Sequence, residues 1–205
     1  MTVLEKIKEI REKSKKRNFN QRFDLVINLK ELDMKKAESK IDELFALPKG
    51  IGKDASITLF SDSVKKMEGC TILSGSEMEK LSKDKKEIKK LIGKTDFFLA
   101  EPKLMIVAGK HLGKFLAPKG KMPKPVTGNV EKTIEDTKKS IRISVIKTPI
   151  IHTVVGSEKM DDKDLEENIK ALINFLKNRL PKGKNNIKNV YLKLTMSHPI
   201  KLEVE

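Results

Sequence analysis

PKGIGK, residues 48–53, is the stretch on which the fold turns. One proline and two glycines within six residues break helix and strand alike, so two kinds of chain meet here. Before it, Phe23, Leu25, Ile27 and Leu29 alternate with Asp24, Val26 and Asn28, the period of a strand with one buried face. A second strand is expected at 41–47, and an amphipathic helix over 2–16 with Leu4, Ile7 and Ile10 along its apolar stripe. From Ala55 strands and helices alternate instead. Strands are expected at 55–60, 71–73 and 96–99, a helical turn or two at 62–68, a lysine-rich helix at 77–92, and further helices beginning over 102–107 and filling 130–139. Repeated βαβ units imply a small open sheet with helices on both faces.

After Ser140 the first pattern returns. Ile141, Ile143 and Val145 line one face of a strand, another strand falls at 151–155, and strands at 187–196 and 201–204 close the chain. Between them Leu165, Ile169, Leu172, Ile173 and Leu176 line a helix that Pro181 stops. Asp161 or Asp162 can cap that helix, and Asp164, Glu166 and Glu167 suit its N-terminal dipole, so this acidic cluster needs no metal. The N-terminal piece alone has too few elements to bury a core. Joined, the two ends make a discontinuous α+β domain of residues 1–52 plus 141–205, with residues 53–140 as an inserted Rossmann-like α/β domain of three layers. Gly50, Gly52 and Ser140 mark the two connections as a hinge.

The inserted block lacks the glycine chemistry of a dinucleotide site. Gly50-x-Gly52-x-x-Ala55 has the spacing, but a strand follows where the fingerprint needs a helix. What the block does carry is GKFLAPKGKMPKP, residues 113–125, with Lys114, Lys119, Lys121 and Lys124, three prolines and no carboxylate. Such a stretch reads as a stiff basic surface loop, neither helix interior nor central strand. It is either a solvated linker or, because Phe115, Leu116, Met122 and Val126 can pin it to a folded body, a loop with a function of its own.

The 205 residues include 44 Lys and Arg against 29 Asp and Glu, a formal charge of +15, which points to a polyanionic partner. No apolar run reaches the length of a spanning helix, so no membrane partner is expected, and one cysteine, Cys70, excludes an internal disulfide and suits a cytoplasmic protein. His111, His152 and His198 lack ligand spacing, no nucleophile motif or Walker loop is present, and neither catalysis nor a cofactor is expected. The segment KKRNFN, residues 15–20, sets an aromatic among bases. Phe19 is either core or an exposed ring that packs on a ribose or base.

PKGKMPKP (118–125), RNFNQRF (17–23), LPKGIGK (47–53), DFFLAEPKLM (96–105), VGSEKM (155–160) and KLTM (193–196) together resemble, in order, segments of the large-subunit ribosomal protein L-one family in its archaeal and eukaryotic form. The family more often has Gly-Pro-Arg-Gly at 117–120 and Gly at 197, where this chain has Ala117-Pro118-Lys119-Gly120 and Ser197. The resemblance implies a mobile-stalk protein whose terminal domain grips large-subunit rRNA while the inserted domain swings and assists release of deacylated tRNA from the exit site. It also implies binding to its own mRNA as a repressor, and a monomer when free. By matched position the rRNA surface comprises Asn18, Phe19, Arg22, Asp24, Thr195, Met196 and Ser197, with His152 beside it and Lys114, Lys119, Lys121 and Lys124 as a secondary RNA contact. The residues alone also suit a generic basic DNA- or RNA-binding protein, or a nucleotide-binding enzyme.

Overall fold

A computed structural model of the chain describes residues 2–36, 39–63, 69–126, 128–146 and 148–203. Two compact units emerge: a terminal unit, Met1–Asp54 with Lys139–Glu205, and a middle unit, Ala55–Lys138.

In the terminal unit the alternation of residues 23–29 becomes β1 (Arg22–Leu29), with Phe23, Leu25 and Ile27 wholly buried. It is one of two inner strands of an antiparallel sheet ordered β10-β9-β1-β8, with β8 at Ile150–Ser157, β9 at Ile187–Leu194 and β10 at Ile200–Leu202. Opposite β1's buried residues stand Leu194, Leu192 and Val190 of β9 and Ile151 of β8, so one face of the sheet is continuously apolar. Two helices cover it. α1 (Val3–Lys13) opens with a capping box, Thr2 and Glu5 each taking the other's backbone N–H, and buries Ile7 and Ile10. α6 (Asp162–Arg179) adds Leu165, Ile169, Leu172, Ile173 and Leu176 to the same core. Each such side chain contributes about 1.5–3 kcal/mol on burial. β2 (Ile41–Ala46) and β7 (Ser140–Val145) form a separate antiparallel pair, clamped where Arg142 grips Asp42 through Nε and Nη2, both at 2.7 Å.

Arg11 of α1 ties the helices to a loop. Its guanidinium donates to the carbonyls of Glu158 and Met160 and to Asp162 Oδ1, and lies 5.2 Å above the Phe23 ring. Asp162 is thereby committed to Arg11, and Asp161 stands at the N-cap of α6 without a side-chain capping bond, so neither caps the helix as expected.

The middle unit is a parallel sheet ordered β4-β3-β5-β6: β3 Ile57–Phe60, β4 Cys70–Leu73, β5 Phe97–Ala100 and β6 Lys124–Pro125. On one face Phe60, Phe98 and Ala100 pack with Met78, Ile88 and Leu112 of the helices; on the other Ile57, Leu59 and Leu99 pack with Ile134 of α5 (Val130–Lys138). The turn expected at 62–68 lies largely outside the described residues. The single helix expected at 77–92 is two, α2 (Gly75–Lys83) and α3 (Lys85–Lys94). Asp84, in extended conformation, ends the first and accepts the N–H groups of Lys86 and Glu87 to start the second. α4 (Pro102–Leu116) runs much further than its first turns suggested. Its four-residue stripe of Leu104, Ala108, Leu112 and Leu116 is buried and outweighs the cost of Gly109 and Gly113, about 1 kcal/mol each.

Residues 113–125 are therefore only partly a loop. Gly113 to Leu116 finish α4, a 3-10 turn holds Ala117–Lys119, Gly120 closes it at φ 66°, and Lys124–Pro125 pairs with β5 at the sheet edge, where proline is tolerated.

Candidate nucleic-acid interface

The face of the terminal sheet away from its helices is open. On β1 it presents Arg22, Asp24, Val26 and Asn28, none of them buried; on β8 the exposed His152; on β9 Tyr191 and Lys193. Register sets Asp24 directly opposite Lys193, and Val26 between His152 and Tyr191, with Lys201 of β10 beyond Tyr191. Burial pushes the Asp24 carboxyl up from its ordinary value, while Lys193, Arg22 and His152 pull the other way. Arg22, Lys193 and Lys201 outnumber the one carboxylate, Asp24, so these side chains make the face net basic. Lys193 and Tyr191 were not singled out from sequence; their signal was the alternation of β9, in which both fall on the side opposite Val190, Leu192 and Leu194.

At one end of this face the two termini of the chain meet. The turn after β9 is tied to the start of β1: Thr195 N–H donates to Arg22 O at 3.1 Å, Arg22 N–H donates to Thr195 Oγ1 at 3.1 Å, and Met196 N–H donates to Gln21 Oε1 at 3.2 Å. Gln21, almost fully buried, also exchanges hydrogen bonds with Glu158, and Asn20 Nδ2 donates to Ser157 Oγ at 2.8 Å. Residues 18–22, 157–158 and 195–197 are thus one rim. From it Phe19 and Met196 stand out, 53% and 60% exposed, which decides against the core reading of Phe19. Residues 15–20, carrying Lys15, Lys16, Arg17 and Asn18, are exposed throughout.

Two expected contacts also shape the turn itself. The Thr195 hydroxyl is engaged with the Arg22 backbone, accepting from its N–H and donating to its carbonyl, so it holds the rim together. Ser197 closes the turn, its Oγ accepting from Leu194 N–H, and its φ is not positive, so the glycine common here is not required by backbone geometry.

The residues expected to form a hinge pack within the terminal unit. Gly50 and Gly52 have φ of 65° and 78°, but Asn168, wholly buried in α6, accepts from Lys49 N–H and donates to the carbonyls of Gly50 and Val155. A Cβ on Gly52 would stand 2.9 Å from Ser157 Cβ. Ser140 is a buried residue of β7, paired with Ala46. Of the four lysines of the basic segment, Lys114 and Lys119 are exposed, whereas Lys121 turns inward, its ammonium on the carbonyls of Ile92 and Thr95 at the end of α3. Lys124 lies half-buried in β6.

Nothing in this arrangement resembles a reaction centre. Among the described residues there is no group of three or more His, Cys, Asp or Glu that could hold a metal, and no helix long and apolar enough to cross a membrane. Burial raises the Cys70 thiol pKa, the wrong direction for a nucleophile.

Residues 10–198 match the model of the ribosomal protein L1p/L10e family. The chain is 41% identical over 207 residues to the large ribosomal subunit protein uL1 of Methanothermococcus thermolithotrophicus, covering 98% of this chain and 97% of that one. It is 38% identical to uL1 of Thermococcus kodakarensis (98% and 96% covered) and 39% identical to uL1 of Methanocaldococcus jannaschii (99% and 95%). With nearly every residue of the chain accounted for in this way, and a basic face assembled from both of its ends, the protein belongs to the ribosomal protein L1p/L10e family.

Proposed function

We propose that this chain is a structural constituent of the large ribosomal subunit, working in the cytoplasm, and that its terminal unit grips large-subunit rRNA to form the mobile stalk. The observation that carries this is the rim at residues 18–22 and 195–197, where Phe19 and Met196 stand exposed beside Arg22 at the edge of an open basic sheet face. Exposed apolar side chains next to cations suit irregular RNA, whose unstacked bases and riboses offer flat surfaces between phosphates. Asn18, Asp24, His152 and Ser197 complete the surface. The same face would take a mimic of the rRNA site in the protein's own mRNA, repressing translation.

The middle unit assists release of deacylated tRNA by swinging about its two connections. Because Gly50, Gly52 and Ser140 are fastened within the terminal unit, we place the pivots at residues 53–55 and 138–139. Lys114 and Lys119 provide its RNA contact. The test is affinity for a stalk rRNA fragment at fixed salt. Phe19→Ala weakens binding about tenfold, the worth of one stacked base, and Thr195→Val also weakens it by removing the hydroxyl that accepts from Arg22 N–H, while the backbone bond from Thr195 N–H to Arg22 O remains. Unchanged affinity in both variants would overturn the reading.

A further inference from the structure

The middle unit holds a cavity of about 680 Å³ between α3 and the end of α4. That is within the usual range for small-ligand sites, about 300–1,000 Å³. Its apolar surface comes from Ile92 of α3, Phe115 of α4 and Pro118 of the 3-10 turn; Lys89, Lys114, Lys119 and Lys121 surround these, and no carboxylate lines it. Among the described residues Lys89, Lys114 and Lys119 have no acidic partner, so their charge is available to a ligand. Lys121 acts differently: by sitting on the carbonyls of Ile92 and Thr95 it neutralises the negative end of α3, which would otherwise repel an anion at this spot.

We infer that this cavity binds one unpaired nucleotide of an RNA strand, its base against Phe115, Ile92 and Pro118 and its phosphates among Lys89, Lys114 and Lys119. An apolar floor inside a ring of unpaired ammonium groups is complementary to an aromatic anion, and in a ribosomal-protein family the abundant aromatic anion is a nucleotide in RNA. The lining contains no amide, hydroxyl or carboxylate side chain to read a base edge, so binding tolerates any base and depends on phosphate. This deepens the reading of Lys114 and Lys119 as a secondary RNA contact, and it adds Lys89, Ile92, Phe115 and Pro118, which that reading did not include.

The experiment is an NMR titration of the full-length, isotope-labelled chain with hexauridylate and hexaadenylate, alongside UMP and inorganic phosphate. Both oligonucleotides shift the amide signals of Gly93 and Phe115 saturably and with similar affinity, UMP does so more weakly, and phosphate alone does not. The double variant Lys89→Glu, Lys119→Glu changes two exposed side chains and leaves the fold intact; it weakens the oligonucleotides about tenfold at this site. Phe115→Leu, which keeps an apolar packing residue, weakens them as well. The inference is overturned if the shifts appear only on the terminal unit, if the double variant binds like the parent, or if phosphate alone reproduces them. Affinity of a Lys89→Glu single variant for the stalk rRNA fragment is read separately: it holds within about twofold if rRNA is gripped by the terminal unit, so the two readings fail independently.

Discussion

Asn168→Leu removes the most heavily used buried side chain of the terminal unit and exchanges it for one of similar size. Asn168 is wholly buried, accepts from Lys49 N–H at 3.0 Å, and donates to the carbonyls of Gly50 at 2.8 Å and Val155 at 2.9 Å. Leucine fills the space but leaves one N–H and two carbonyls without partners. At about 1–3 kcal/mol for each buried orphan, less for a carbonyl with another contact, the loss should be about 3–5 kcal/mol. That is a large part of the roughly 5–15 kcal/mol by which a domain is stable. The assay is provided by the composition: the chain has one tyrosine and no tryptophan, and Tyr191 lies in β9, so intrinsic fluorescence follows the terminal unit alone. In urea the midpoint falls with an unchanged slope, and the melting temperature of this unit drops by about 15 °C. Asn174→Ala, at an exposed position on the same helix, should change stability by less than about 0.5 kcal/mol. A loss below about 1 kcal/mol for Asn168→Leu would refute the claim that this amide fastens the first crossing segment.

Two further tests address backbone and charge. Gly52→Ala should cost about 1–3 kcal/mol by the same fluorescence assay, because φ is 78° and the new Cβ would press on Ser157 and Met160; a neutral result would mean that the loop at 157–160 yields freely. Glu9 is held down to about 2 by its hydrogen bonds to Lys13 and Lys6, so the stability it contributes is present above the ordinary carboxylate range and is lost as pH falls through about 2. An NMR titration of its carboxyl carbon should show that midpoint, and Lys13→Ala should raise it; a midpoint already in the ordinary range would exclude the pairing.

Much of the strand and helix pattern was legible because burial imposes a period. Phe23, Leu25 and Ile27 could only be a one-sided strand, and Leu165 through Leu176 only a helix face. What was not legible depends on partners distant in the chain. Asp84 reads as one more charge in a lysine-rich helix until its carboxylate is seen capping α3. Lys121 reads as a surface cation until the end of α3 is placed beside it. Glycines at 109 and 113 suggest a break, yet the buried stripe on either side of them carries α4 through. At the candidate interface the individual residues were visible in motifs, but the division of labour was not. The Thr195 hydroxyl, on a residue as exposed as its neighbour Met196, proves also to fasten the rim, a role visible only once Arg22 and Thr195 are paired across 173 positions.

The central claim is that both ends of the chain together carry the rRNA face. It is tested most directly by measuring the affinity of the stalk rRNA fragment for the full chain and for a chain lacking residues 54–139 with the ends joined. Tyr191 fluorescence verifies that the terminal unit of the shortened chain is folded. The account predicts affinities within about threefold of each other and a log affinity that falls with log salt in both. Loss of most of the binding from a folded shortened chain would contradict it.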